Sequence, residues 1–126
     1  MIEKELFDFL RDNYYPDLVM AKSKMSKWDC YSPSKYHRIE LKCRTVHYDE
    51  LLIEKKKFDS MTLKCEDNLD VPYYINSTPK GIYRFNLYKV EPVWFIKKIK
   101  ATTYFKDSRP IDKEIALLDV IDAEVL

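Results

Sequence analysis

Glycine is almost missing from this chain. Gly81 is the only one among 126 residues, and it closes the segment Thr78-Pro79-Lys80-Gly81, where a turn with φ > 0 is expected. Cysteine is scarce and odd in number: Cys30, Cys43 and Cys65 are far apart, and no CxxC occurs. The two histidines, His37 and His47, do not complete a zinc pattern. Nothing in this spacing points to a structural zinc, and reduced thiols in a cytoplasmic protein are expected (the host-cell cytoplasm, if the chain is viral). No apolar run approaches the length of a membrane span, and the N-terminus lacks the apolar core of a signal peptide, so no membrane partner is expected. Net charge is nearly absent too. Lys and Arg number 22 against 21 Asp and Glu, a formal charge of +1, which by itself announces no polyanionic partner. No repeat, low-complexity tract or linker interrupts the chain, so residues 1–126 are expected to form a single domain.

What is present argues for a folded protein rich in strands. Hydrophobic residues make up 46% and aromatic residues 14%, with ten Tyr, and Tyr, Phe, Val and Ile favour pleated strands. Charge is unevenly spread. Residues 1–17 carry five acids against two bases, while residues 18–57 carry ten bases against five acids. A basic middle section suits a local phosphate-binding surface, although solvated lysines on strand edges and helix faces produce the same count.

Residues 2–12 place Ile2, Leu6, Phe9 and Leu10 on one helical face, ended by Asn13-Tyr14-Tyr15-Pro16. Residues 18–23 and 25–31 read as strands, and Ser32-Pro33-Ser34-Lys35 as a turn. Residues 36–45 give the clearest strand, with Ile39, Leu41 and Cys43 alternating against Arg38, Glu40, Lys42 and Arg44. Residues 46–53 are ambiguous. A helix is expected over 54–65, with Phe58, Met61 and Cys65 at helical spacing. Further strands follow at 71–76, 82–90, 93–99 and 114–121. The order predicts an α+β domain (α/β/α-like) with a mixed central sheet and flanking helices.

Chemistry concentrates between Trp28 and Arg44. Glu40 and Lys42 share one face of their strand. If Trp28 and Cys30 join Ile39 and Leu41 on the apolar side, Asp29 must join Glu40 and Lys42, because a one-residue slip would invert every side chain. Neighbouring positions of that kind lie within about 4.5–8 Å. Two adjoining carboxylates repel unless a proton or a cation stands between them, and a hard ion such as Mg²⁺ prefers carboxylate oxygens. An ion bound there would polarise a phosphoryl oxygen and acidify a water, with Lys42 facing that water and the scissile phosphate. An exposed ion-pair ladder on a hairpin is the plain alternative. Glu54-x-Lys56 repeats the Glu-x-Lys spacing, but without an Asp at the end of a preceding strand and without the run of apolar residues in the alternate positions.

Asp29, ten residues, then Ile39-Glu40-Leu41-Lys42, behind an amphipathic helix and ahead of another, resembles the PD-(D/E)XK superfamily of restriction enzymes, phage exonucleases and archaeal Holliday-junction resolvases. A small phage-encoded member is the nearest kind of relative the resemblance points to. The likeness in element order spans about residues 1–65, and the motif itself residues 28–44. It implies a restriction-endonuclease-like core and a nuclease, an endonuclease acting on DNA being favoured, that uses Mg²⁺ or Mn²⁺. Asp29 and Glu40 would be metal ligands with the Leu41 main-chain carbonyl, and Lys42 the catalytic lysine. Glu5, ahead of Glu3, would be the acid from the first helix, and one of Lys55, Lys56 and Lys57 would complete the site from the second. Trp28 stands where the family often has Pro; the literal Pro-Asp here is Pro16-Asp17, with Asp17 the lesser candidate.

Arg38, Arg44 and Lys55–Lys57 are candidate nucleic-acid contacts, against a reading as surface cations. His37 and His47 are read as structural or surface residues, with contact to nucleic acid or a metal as the alternative. Tyr73, Tyr74, Tyr83 and Tyr88 are read as packing residues, with base-stacking platforms as the alternative. Lys97, Lys98, Lys100, Lys106 and Arg109 form a second candidate phosphate track. Ile115–Ile121, with Leu117 and Leu118, reads as core or as a homodimer seam. Two other classes remain open: a non-catalytic nucleic-acid-binding or viral regulatory module on the same fold, and an unrelated interaction protein.

Overall fold

Helix α1 (Glu3–Asn13) forms where the apolar spacing places it and buries Leu6, Phe7 and Leu10. Its first free amide, on Ile2, donates to Glu5 Oε1 at 2.9 Å, satisfying a donor that a helix start leaves open. The computed structural model describes residues 1–23, 25–100 and 109–126. After α1 come β1 (Val19–Met20), β2 (Cys30–Ser32), β3 (His37–Cys43), β4 (Glu50–Glu54), α2 (Lys55–Asn68), β5 (Val71–Thr78), β6 (Gly81–Asn86), β7 (Phe95–Lys100), β8 (Pro110–Asp119), a 3-10 turn (Val120–Asp122) and β9 (Glu124–Val125).

The central sheet runs β1-β2-β3-β5-β6-β9. It is mixed, because β3 and β5 are parallel while β2 pairs antiparallel to β3 and β6 antiparallel to β5. Parallel neighbours need a crossover, and β4 with α2 provides it. The predicted α+β class and mixed sheet with flanking helices are what the chain adopts.

Three local expectations change. The strands read over 18–23 and 25–31 shrink to two residues and three residues, because the chain bends between them. The ambiguous stretch ends in β4, whose alternate residues Leu51 and Ile53 are buried. That strand does not enter the central sheet. It pairs with β8, and β8 with β7, in a separate three-stranded sheet.

Two apolar layers hold these parts together. On one face of the central sheet α1 packs Leu6, Phe7 and Leu10 against Ile39, Leu41, Tyr73 and Ile75. On the other, Tyr74, Tyr83 and Phe85 meet Met61 of α2 and Leu51, Ile53, Ala116 and Leu118 of the small sheet. Arg44 ties the two sheets polarly: its guanidinium donates to Asn76 Oδ1 (2.7 Å), to the Leu52 carbonyl (2.8 Å) and to the Tyr74 hydroxyl (3.2 Å).

A second polar chain runs through the α1 side. Glu124 holds Arg84 (2.8 Å), and Arg84 donates to the Tyr15 hydroxyl (2.8 Å). Because Arg only donates, the Tyr15 hydrogen is free to point at His37 Nδ1, 2.9 Å away. That arrangement needs a neutral imidazole. Burial first, then the charges of Arg84 and Lys35, push the His37 pKa down to about 4. The unfolded chain therefore takes up this proton before the folded one does, so stability falls as pH drops from about 6.5 towards 4. Denaturant midpoints at the two ends of that window should differ less for His37→Gln than for wild type; equal differences would rule the histidine out as the source.

Candidate active site

The site is built where β2 stops pairing with β3. The ladder's last pair is Cys30 with Ile39. Beyond it, the Asp29 amide still donates to the Ile39 carbonyl (2.8 Å) and its carbonyl accepts from Ala21 (2.8 Å). The next donor on β3, the Leu41 N–H, has no strand opposite; Asp29 Oδ2 accepts it at 2.8 Å. The carboxylate is thus fixed at the strand end by one of its oxygens.

Glu40, the residue before Leu41, brings its carboxyl within hydrogen-bonding reach of Asp29. It is largely enclosed, with a side-chain exposure of 18%, and its Oε1 is buried without a hydrogen-bond partner. Burial first, then the negative charge of Asp29, raise its pKa to about 8. Lys57 of α2 opposes that shift: its Nζ lies 3.4 Å from Oε1, an ion-pair distance without hydrogen-bond geometry. Among the lysines at the start of α2, Lys57 is the one that reaches the carboxylates. Lys55 is held by Asp59 (2.6 Å), and Lys56 is exposed. Lys42 lies on the same side of β3 as Glu40 by strand alternation and makes no ion pair among the described residues.

The acid from α1 that senses Asp29 is Glu3, its pKa raised first by burial and then by the Asp29 charge. Glu5 instead caps its own helix. Asp17 commits both oxygens to the Ser-Pro-Ser-Lys turn, accepting from Ser32 Oγ (2.8 Å) and the Ser34 amide (2.7 Å). Arg38 donates to Asp70, itself 2% exposed, and stacks on Trp28 and Tyr31. Arg44 is engaged with Asn76, Leu52 and Tyr74, so both guanidiniums are tied into the protein by part of their donor set. Trp28 departs from the expected alternation. It packs on the α2 side of the sheet rather than with Cys30 and Ile39, because the period of two has no paired strand to run on upstream of Cys30.

His47 is held by Thr78 (2.8 Å) and Asp49 (3.1 Å). Tyr73, Tyr74 and Tyr83 are core residues, and Tyr88 is exposed. Ile115, Ala116 and Leu118 are buried while Leu117 is exposed. Lys98 pairs with Asp112 (3.1 Å) on the exposed strand β7, and Lys106 lies outside the described residues.

The residues fit a hard divalent ion. Two adjoining carboxyls, one with a buried oxygen that accepts no hydrogen bond, are the kind of donor Mg²⁺ takes while keeping several waters. The set is a pair, not a full cage: no group of three or more His, Cys, Asp or Glu side chains suited to a metal occurs among the described residues.

This architecture has a solved counterpart. The Holliday junction resolvase Hjc of the archaeal hyperthermophile Archaeoglobus fulgidus superposes with a TM-score of 0.55 at 12% sequence identity, over 90% of this chain and 80% of that one. The fold is resolvase-like. No protein-family model matches the sequence, and no curated protein does. In the resolvase-like fold of this chain, the Asp29–Glu40 pair sits on the strand-end hairpin between α1 and α2.

Proposed function

We propose that the protein is a divalent-metal-dependent nuclease that hydrolyses phosphodiester bonds in DNA, of the PD-(D/E)XK type. The observation that carries this reading is the adjoining Asp29–Glu40 carboxyl pair, whose buried Oε1 accepts no hydrogen bond and faces only the Lys57 ammonium at 3.4 Å. Mg²⁺ or Mn²⁺ between them would supply a Lewis acid for the phosphoryl oxygen and a water of lowered pKa.

The chain's own groups divide the remaining work. Asp29, anchored by the Leu41 amide, holds one carboxylate oxygen in a fixed place. A strand residue's N–H and C=O point to the same side, which supports the Leu41 carbonyl as a further ligand. Glu40 supplies the second carboxylate. Lys42, free of any carboxylate partner among the described residues, orients the attacking water and offsets negative charge that grows on the phosphate. Lys57 and Glu3 border the pair, at opposite signs of charge.

The likeness to a resolvase supports DNA as the substrate. The test is incubation of the purified chain with duplex and four-way-junction DNA in Mg²⁺, in Mn²⁺ and in EDTA. Cleavage in either ion and none in EDTA is expected; intact DNA in all three would overturn the reading.

One observation favours a second reading. The Lys57 ammonium already sits 3.4 Å from Glu40, as it would in a non-catalytic DNA-binding module whose lysine replaces the ion. Salt-sensitive DNA binding without Mn²⁺ uptake would select that alternative.

A further inference from the structure

Beside the carboxyl pair lies a groove of about 260 Å³ between the loop before β2 and the first two turns of α2. Met25, Ser26 and Lys27 form one wall; Glu54, Lys56, Lys57 and Ser60 form the other. Three of these residues are cationic. The single acid, Glu54, is already neutralised by Lys113 at 2.7 Å. Lys27 and Lys56 are exposed and make no ion pair among the described residues. Lys57 belongs to both places, lining the groove while its ammonium touches Glu40.

The contrast with the neighbouring groove is instructive. That one is larger, about 540 Å³, but Glu54, Asp59, Asp112 and Glu114 outnumber Lys55, Lys56 and Lys113 on its walls. Its charge is unfavourable for an anion. The smaller groove has excess positive charge. The first turn of α2 adds to the imbalance, since it contains three lysines and no acid, an order that the helix dipole disfavours until an anion arrives.

We propose that this groove is a phosphate subsite, gripping a backbone phosphodiester that flanks the one hydrolysed at Asp29 and Glu40. The proposal rests on the nuclease reading above and adds the path of the strand: from the carboxyl pair across Lys57 to Lys56 and Lys27. The volume accommodates a phosphate with part of a sugar, and Ser26 and Ser60 are among its lining residues. Lys57 links the two halves. Lys57 would be released from Glu40 if that carboxylate held an ion, and its charge would then serve the groove, so metal and DNA should each tighten the binding of the other, by the same factor.

The test uses the full chain and a fluorescein-labelled 20-base-pair duplex, followed by anisotropy in Ca²⁺ over a range of salt, with Mn²⁺ binding measured separately. Lys27→Ser/Lys56→Ser is compared with Lys64→Ser/Lys89→Ser, which removes two charges elsewhere on the surface. The groove variant is expected to keep wild-type Mn²⁺ affinity, to bind DNA at least about tenfold more weakly, and to lose about 2 from the slope of log K against log salt. The control is expected to leave both unchanged. In wild type, DNA affinity is expected to rise with Ca²⁺, and Lys57→Met is expected to blunt that rise. If wild type binds Mn²⁺ and DNA but the groove variant matches it, or the control loses as much, the subsite is wrong and the nuclease reading stands. If wild type binds neither, both fall.

Discussion

Lys42→Ala is expected to slow divalent-dependent DNA cleavage by about 10²–10³-fold while leaving the fold and Mn²⁺ affinity unchanged. The separation follows from the side chain's surroundings. Lys42 is only part-buried on β3 and holds no carboxylate among the described residues, so removing it neither opens a core cavity nor frees a buried charge. In the proposed reaction its charge would count only when negative charge grows on the phosphate. Asp29→Asn should behave differently. The amide still presents an oxygen to the Leu41 N–H, so the hairpin survives, but the charge that holds the ion is gone and Mn²⁺ affinity falls with activity. Single-turnover cleavage beside Mn²⁺ titration distinguishes the two variants. A Lys42→Ala protein that cuts at the wild-type rate, or one that loses Mn²⁺ as Asp29→Asn does, would contradict the assigned roles.

The second large effect concerns stability without metal. The folded protein holds the Glu40 proton up to about pH 8, whereas the unfolded chain releases it near 4.5. The folded state therefore binds more protons across that window, and stability falls as pH rises through it. His37 acts in the opposite direction, but only below about pH 6.5. The interval from about 6.5 to 8 isolates Glu40. There, metal-free wild type is expected to lose stability as pH rises, with a falling Tm. Glu40→Gln removes the titrating group and should hold its Tm level; saturating Mg²⁺, which favours the carboxylate, should flatten the wild-type slope as well. Parallel Tm curves for wild type and Glu40→Gln in EDTA would mean that Asp29 and burial do not strain this carboxyl.

How far the chain could be read from residues alone depends on the range of the interaction concerned. The period of two in Ile39, Leu41 and Cys43 is a local signal, and it put β3 and its two faces where they are. The helices announced themselves by spacing as well, although α2 runs to Asn68, beyond the expected end. Distant partners left no such mark. Arg38 and Arg44 look like free surface cations until Asp70 and Asn76 are seen beside them, each 32 positions away along the chain. Lys57 could not be separated from Lys55 and Lys56 without the docking angle of α2. Residue type and spacing favour Glu5 over Glu3, but the start of α1 gives Glu5 to the open Ile2 amide, and Glu3 is the one that senses Asp29. The small sheet was hidden for a similar reason: β4 is five residues long, and only its pairing with β8 gives it meaning. Trp28 misled the alternation argument because a strand's period ends with its hydrogen bonds, and β2 begins at Cys30.

All the chemistry above depends on Asp29 and Glu40 holding one divalent ion together. The direct measurement is anomalous diffraction at the manganese edge from a crystal soaked in Mn²⁺. The expected result is a single strong peak between the two side chains, roughly 2.0–2.2 Å from a carboxylate oxygen of each. A protein whose carboxyls stay paired with Lys57 at saturating Mn²⁺, with manganese absent from that position or bound elsewhere, would contradict the account.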